Sequence, residues 1–166
     1  MKLALAIMSL VALALAPVAM AMPDQLPNTG VYFITNSGNY EALQPVAPSL
    51  GQNVGTKEFN KGGGQKWFIT RQFDVKTGQP SNRYTIRLAG DNDNLKLQPH
   101  PAIDTATIVS SDGAVFVVEP TEGGMLLHKS NGDVLYVAPN PPMMTEAKWG
   151  PDDGSPKYRW NFVPAM

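Results

Sequence analysis

The sequence predicts an all-β protein, and three observations carry that prediction. Beyond residue 21 no stretch of about a dozen residues keeps an apolar stripe of helical period without meeting Gly or Pro. The apolar runs are short, and several alternate in and out with period two. The same order of runs and turns then recurs three times, at a spacing of roughly 40 to 50 residues that signals repeated architecture.

The first unit opens with a strand over 31–36, turns at Ser37-Gly38, returns over 40–45, carries a third strand over 54–59 and closes with 65–70. The second has 83–88, a turn from Gly90 through Asp93, then 95–99, 105–109 and 115–120. The third has 124–129, a turn at Asn131-Gly132, then 134–139, 144–148 and 158–164. Tyr84, Ile86 and Leu88 against Thr85 and Arg87 give the cleanest alternation. Asn131-Gly132 between apolar runs is a strong hairpin signal, because both residues tolerate the positive φ of a type I′ turn. Four strands per unit give about twelve, and no unit can bury its apolar face alone. Three units closing around a shared axis make a β-trefoil with pseudo-threefold symmetry. A β-sandwich is the competing architecture, since alternation alone does not separate the two and only the threefold period does.

The first segment reads as an address. Lys2 supplies the positive start, residues 3–15 are almost wholly apolar, and Ala19-Met20-Ala21 offers a small-x-small cleavage pattern. Residues 1–21 are therefore expected to be a secretory signal peptide and 22–166 a single secreted, extracellular domain, monomeric and free of the membrane after cleavage. The apolar run is broken at Ser9 and Pro17 and is short for a span of about 20 residues. The chain has no cysteine, so packing alone must hold the domain. Its formal net charge of −1, with acids and bases interspersed, gives no basic patch for nucleic acid.

Catalytic constellations are missing from the sequence. His100 and His128 lie in different units without metal-ligand spacing, and Asp152-Asp153 and Asp91/Asp93 sit among turn formers, where side chains bond their own backbone. No nucleophile elbow, P-loop or dinucleotide fingerprint occurs. No enzymatic activity, metal or cofactor is expected. Trp67, Phe116 and Trp160 recur at one place in each unit, as Tyr32 and Tyr84 do, which marks a shared core layer. Trp149, outside that repeat beside Gly150-Pro151, is the candidate for an exposed contact.

The loops remain. After its second strand each unit carries prolines: Pro45 and Pro48, Pro99 and Pro101, and Pro139, Pro141 and Pro142. Proline fixes φ and favours extension in the residue before it, so these loops are expected to be stiff and pre-extended. Stiff loops lose less freedom on binding, although the same prolines also serve simply to end strands.

Gly30 to Asn36, the Gln65-Lys66-Trp67-Phe68-Ile69 strand and the terminal Tyr158-Arg159-Trp160 strand resemble those of the fungal β-trefoil protease inhibitors related to cospins and mycocypins. The resemblance implies an inhibitor without a cofactor that occupies the cleft of a target protease through a surface loop. Members usually lack a signal peptide, which is a departure here. With that resemblance, the expected function is inhibition of a serine endopeptidase through Pro48, Ser49, Leu50, Gln52 and Asn53, with Leu50 or Asn53 filling the specificity pocket. The alternative is a carbohydrate-binding module. Gln65-Lys66-Trp67 resembles the Q-x-W signature of ricin-type lectins, and Trp67 or Trp149 would stack on the sugar of a glycan partner.

Overall fold

In a computed structural model the described residues are 25–90, 95–109, 113–138 and 145–166, and they hold twelve strands and two short 3-10 turns. The expected signal segment 1–21, the turn residues 91–94 and the prolines at 139–142 lie outside the described residues. The first unit contains β1 (Gly30–Asn36), β2 (Ala42–Pro45), β3 (Asn53–Lys57) and β4 (Lys66–Phe73). The second contains β5 (Pro80–Leu88), β6 (Lys96–Pro99), β7 (Ala106–Val109) and β8 (Phe116–Thr121). The third contains β9 (Gly124–His128), β10 (Val134–Ala138), β11 (Thr145–Gly150) and β12 (Trp160–Pro164).

The first and last strands of each unit form a closed antiparallel ring, β1–β4–β5–β8–β9–β12 and back to β1. Closure leaves that ring no free edge. The remaining strands make three hairpins, β2–β3, β6–β7 and β10–β11, which cap one end of the barrel. The hairpins are stitched to one another by equivalent pairs: Asn53 with Thr107, Thr105 with Lys148, and Glu146 with Gly55. Between these pairs Val54, Ala106 and Ala147 are buried, small enough for three strands to converge. This is the β-trefoil that the repeats predicted.

The core repeats with the backbone. Tyr32 lies opposite Trp67, Tyr84 opposite Phe116 and Met125 opposite Trp160. Below them Ile34, Ile86 and Leu127 fill one layer, and Leu43, Leu97 and Leu135 fill the next. The Trp67 indole donates to the Leu43 carbonyl and the Trp160 indole to the Leu135 carbonyl, both at 2.8 Å, so each closing strand is pinned to its own hairpin. Phe116 holds the same position in the second unit and has no N–H to give.

Four expectations about local structure are corrected. Trp149 is not exposed: it lies in β11 at 3% exposure, stacked on Phe116 with ring centroids 5.5 Å apart. It takes the inward β11 position that Thr56 and Ile108 hold in the other units, because Ala147 and Trp149 point in while Glu146 and Lys148 point out. Trp67, at 0% exposure, is likewise closed to any sugar. The Asn131-Gly132 turn is not type I′. Only Gly132 has positive φ (94°), while the Asn131 carboxamide oxygen accepts from the Asp133 N–H at 3.0 Å. The 46–52 connection is not extended either, as the next section describes.

Candidate functional site

A protein with a packed barrel interior must offer its binding groups at the surface, so the connections between strands are the places to search. A cavity of about 450 Å³ lies where the first and third units meet. Its walls are the β1–β2 turn (Asn36, Gly38, Asn39), the β10–β11 hairpin (Val137, Thr145) and the loop before β12 (Ser155, Pro156, Lys157). A smaller cleft of about 280 Å³ lies near the start of β1, between Gln25, Asn28, Tyr32 and Phe162. Ligand sites commonly occupy about 300 to 1,000 Å³. Only the first of the two falls in that range.

The groove is built by side chains that spend hydrogen bonds on holding its walls together. Asn36 is buried at the end of β1. Its amide donates to the carbonyls of Lys157 at 2.8 Å and Arg159 at 3.3 Å, while its carboxamide oxygen accepts from the Gly38 N–H at 2.9 Å. One residue thus shapes the β1–β2 turn and ties it to the opposite wall. Gly38 is needed for proximity, since a Cβ there would stand 3.0 Å from the Lys157 nitrogen and 3.1 Å from its Cα. Asn39 donates to the Glu41 carboxylate at 2.8 Å and to the Thr56 hydroxyl at 3.1 Å, and Thr56 donates to the same carboxylate oxygen at 2.6 Å. Thr56 is paired across strands with Thr145 of the facing wall.

Two features of this region bear on its use. The Ser155 hydroxyl is buried without a well-formed hydrogen bond among the described residues, although it stands near enough to the Asp153 carboxylate to help depress it. Next to Asn39, Tyr40 has φ of 59° and is 79% exposed. Left-handed backbone costs a non-glycine residue about 1 kcal/mol or more, and here that strain carries a large aromatic ring outward. The sequence reading put residue 40 in the returning strand, because Ser37-Gly38 suggested a shorter turn than the one that closes with Tyr40 N–H on the Asn36 carbonyl at 2.9 Å.

Ion pairs brace the outer rim. Asp153 and Lys157 are 2.7 Å apart, and Asp152 and Arg159 are 3.0 Å apart. The Lys157 ammonium, then the Ser155 hydroxyl and N–H, hold the Asp153 carboxyl down to about 2. A carboxyl depressed on folding stabilises the fold above its ordinary value and ceases to do so as pH falls through the folded value. Lys157 is raised by the same partner, so its contribution persists until pH climbs past its ordinary range. Thermal unfolding midpoints should therefore decline between about pH 4 and pH 2 and decline less steeply in Asp153→Asn. Equal slopes in the two proteins would contradict that assignment.

The residues singled out for protease binding lie elsewhere, on the β2–β3 loop. Pro48, Ser49 and Leu50 are exposed, Leu50 at 55%. Gln52 and Asn53 are half-buried, with the Gln52 carbonyl accepting from Ile108 N–H at 3.0 Å and from the Thr107 hydroxyl at 3.1 Å. The loop turns: Ser49 N–H bonds the Ala47 carbonyl at 2.8 Å and Gly51 has φ of 75°. A short connection between antiparallel strands has to reverse, which overrides the extended preference of its prolines. Of the two Trp candidates for sugar contact, neither reaches the groove surface. Gln65 of the Q-x-W match is buried and clips the chain before β4, bonding Glu58 O at 2.7 Å and accepting from Asn60 N–H at 3.0 Å. Asp152 and Asp153 cap their own turn as expected, through Gly154 and Ser155 N–H at 2.9 Å each. Among the described residues no cluster of three or more His, Cys, Asp or Glu could hold a metal.

No protein-family model and no curated protein matches the chain. Solved structures do. The chain is similar to the Rhizoctonia solani agglutinin, at 17% identity over 86% of this chain and 99% of that one, with a TM-score of 0.68. It is also similar to the designed threefold-symmetric protein ThreeFoil, at 18% identity over 82% and 99% with a TM-score of 0.65. A further match is the C-terminal domain of an earthworm lectin, in mutant form with 6′-sialyllactose, at 14% identity over 81% and 98% with a TM-score of 0.58. It also matches a mosquitocidal holotoxin, of which it spans only 18%. At these identities the likeness defines a class by architecture: this is a β-trefoil protein.

Proposed function

We propose that the chain is a carbohydrate-binding β-trefoil module whose saccharide sits in the groove between the β1–β2 turn and the loop before β12. The observation that carries this reading is the groove's pairing of the Thr145 and Ser155 hydroxyls with the apolar Val137 and Pro156, with Lys157 at its edge. Sugar hydroxyls both donate and accept, so they match amides and hydroxyls, while their C–H faces suit apolar walls and aromatic rings. Tyr40 would supply the ring. The agglutinin and the earthworm lectin among the similar structures support this reading over inhibition.

Tyr40→Gly separates binding from folding. Glycine relieves the left-handed strain, so thermal stability should equal or exceed that of the parent, whereas retention on a glycan array should be lost. Undiminished retention would remove Tyr40 from the site, and an array silent for the parent protein would reject the reading.

A second reading, inhibition of a serine endopeptidase through the β2–β3 loop, is favoured by one observation. Leu50 projects from a loop held on the far side by Gly51 N–H to Ile108 O at 2.8 Å, which restricts its freedom before binding. The double variant Leu50→Gly, Asn53→Gly should then abolish inhibition across a panel of trypsin-, chymotrypsin- and elastase-like proteases. An inhibitory parent with an equally inhibitory variant would exclude this loop.

A further inference from the structure

At the end of the barrel away from the hairpin cap, the two ribbons that join successive units differ in size. Phe68, which follows Trp67, is 19 residues from its cross-strand partner Arg87, whereas Val117, which follows Phe116, is 11 residues from His128. The excess lengthens β5 and widens the turn, which holds residues 74–79 between the paired Phe73 and Pro80 but only 122–123 between Thr121 and Gly124. Residues 73–80 are all exposed as a result.

The tip is nevertheless shaped from within. Asp74 N–H donates to the Gln79 carbonyl at 2.9 Å, and the Asp74 carboxylate accepts from Lys76 N–H at 2.8 Å and Thr77 N–H at 2.9 Å. At the neck, Arg71 Nε donates to the Ser81 carbonyl at 2.6 Å and the Ser81 hydroxyl to the Gln72 carbonyl at 2.8 Å. These bonds fix the backbone and leave two apolar side chains in water, Phe73 at 64% exposure and Val75 at 100%. Around them, residues 71–83 carry Arg71, Lys76 and Arg83 against the single acid Asp74. A formal net charge of −1 for the whole chain conceals this local excess, which is why the sequence suggested a domain free of the membrane.

We propose that the β4–β5 ribbon docks the protein on an anionic lipid surface, with Phe73 and Val75 in the boundary between headgroups and acyl chains and Lys76, Arg83 and Arg71 against the lipid anions. Aromatic and aliphatic side chains gain from that boundary, and each basic residue beside it is drawn by the surface potential. A soluble polyanion would satisfy the bases but leave Phe73 and Val75 in water, so the apolar apex favours a bilayer. Gly30 lies opposite Ile69 near the ribbon, and Asn36 at the other end of β1 lines the groove. Docking through the ribbon would therefore leave the groove open on the far side. The inference does not depend on the carbohydrate reading.

Val75→Trp in the full chain places a fluorescent reporter at the apex, over the constant background of the buried Trp67, Trp149 and Trp160. The probes are vesicles of brominated phosphatidylcholine, alone or with about one-third phosphatidylserine. The apex should be quenched in the anionic vesicles, with affinity about tenfold or more weaker once Lys76→Gln and Arg83→Gln are added. The charge dependence separates the ribbon from the apolar 1–21 segment, which would partition into either vesicle. In the chain without the reporter, Phe73→Ser with Val75→Ser should lose the preference for anionic vesicles while keeping the parent's thermal stability and array retention. No quenching, or quenching equal in both vesicles and unmoved by removal of the two bases, would overturn the proposal. Capture by dextran sulfate without quenching in anionic vesicles would also overturn it, in favour of a soluble polyanion.

Discussion

Trp160→Ala should unfold the domain at markedly lower temperature, with a loss of about 3–5 kcal/mol, as for large aromatic side chains deleted from a packed core. Trp160 is fully buried, pairs with Met125 on the neighbouring strand β9 and donates to the Leu135 carbonyl at 2.8 Å. Truncation leaves both a cavity and an unpaired carbonyl in the hairpin cap. For a domain of this size the midpoint should fall by about 10 °C. Trp160→Phe should cost only about 1–2 kcal/mol, chiefly the lost hydrogen bond and a small void. The second unit supplies the internal precedent, since Phe116 fills the equivalent position without an N–H. Chemical denaturation of the three proteins checks the ranking, and equal stability of Trp160→Ala and the parent would refute the pinned-barrel account.

Asn36→Ala should abolish saccharide retention at a moderate stability cost. The substitution removes the amide bonds to Lys157 and Arg159 and the cap on Gly38 N–H, depriving the half-buried Lys157 carbonyl of this donor while the Arg159 carbonyl keeps Ser37 N–H, at about 1–3 kcal/mol. The domain has a barrel of six strands to hold it, so it should remain folded. The groove keeps the bond from Ser37 N–H to the Arg159 carbonyl at 2.8 Å, but it loses the side chain that sets Gly38 against Lys157. Glycan retention and circular dichroism measured together test this, and full retention in a folded variant would show that the walls stay aligned by other means.

The barrel was legible in the sequence because its determinants are repeated. Aromatic residues at Trp67, Phe116 and Trp160, and aliphatic ones at Ile34, Ile86 and Leu127, each reinforce one layer, so an ambiguity in one unit is resolved by the others. The groove was not legible, because it is where the units differ. Tyr40 looks like any strand aromatic until its positive φ is known. The Ser155 hydroxyl gains meaning only from its burial in the groove wall, which the sequence does not show. Trp149 misled for the opposite reason: neighbouring Gly150 and Pro151 suggested a loop, while the Ala147–Trp149 alternation that buries it spans only two inward positions. The long β4–β5 ribbon, with its irregularity between Arg71 and Phe73 and an Asp74-capped tip, also escaped notice because polar residues there show no core-facing pattern.

Backbone amide shifts recorded by NMR while an array-retained glycan is titrated into the labelled domain test the location of the site most directly. The changes should cluster at Gly38, Asn39, Tyr40, Thr145, Ser155 and Lys157, and should leave residues 48–53 unmoved. Shifts centred on the β2–β3 loop, or on the second unit's turn, would contradict the groove.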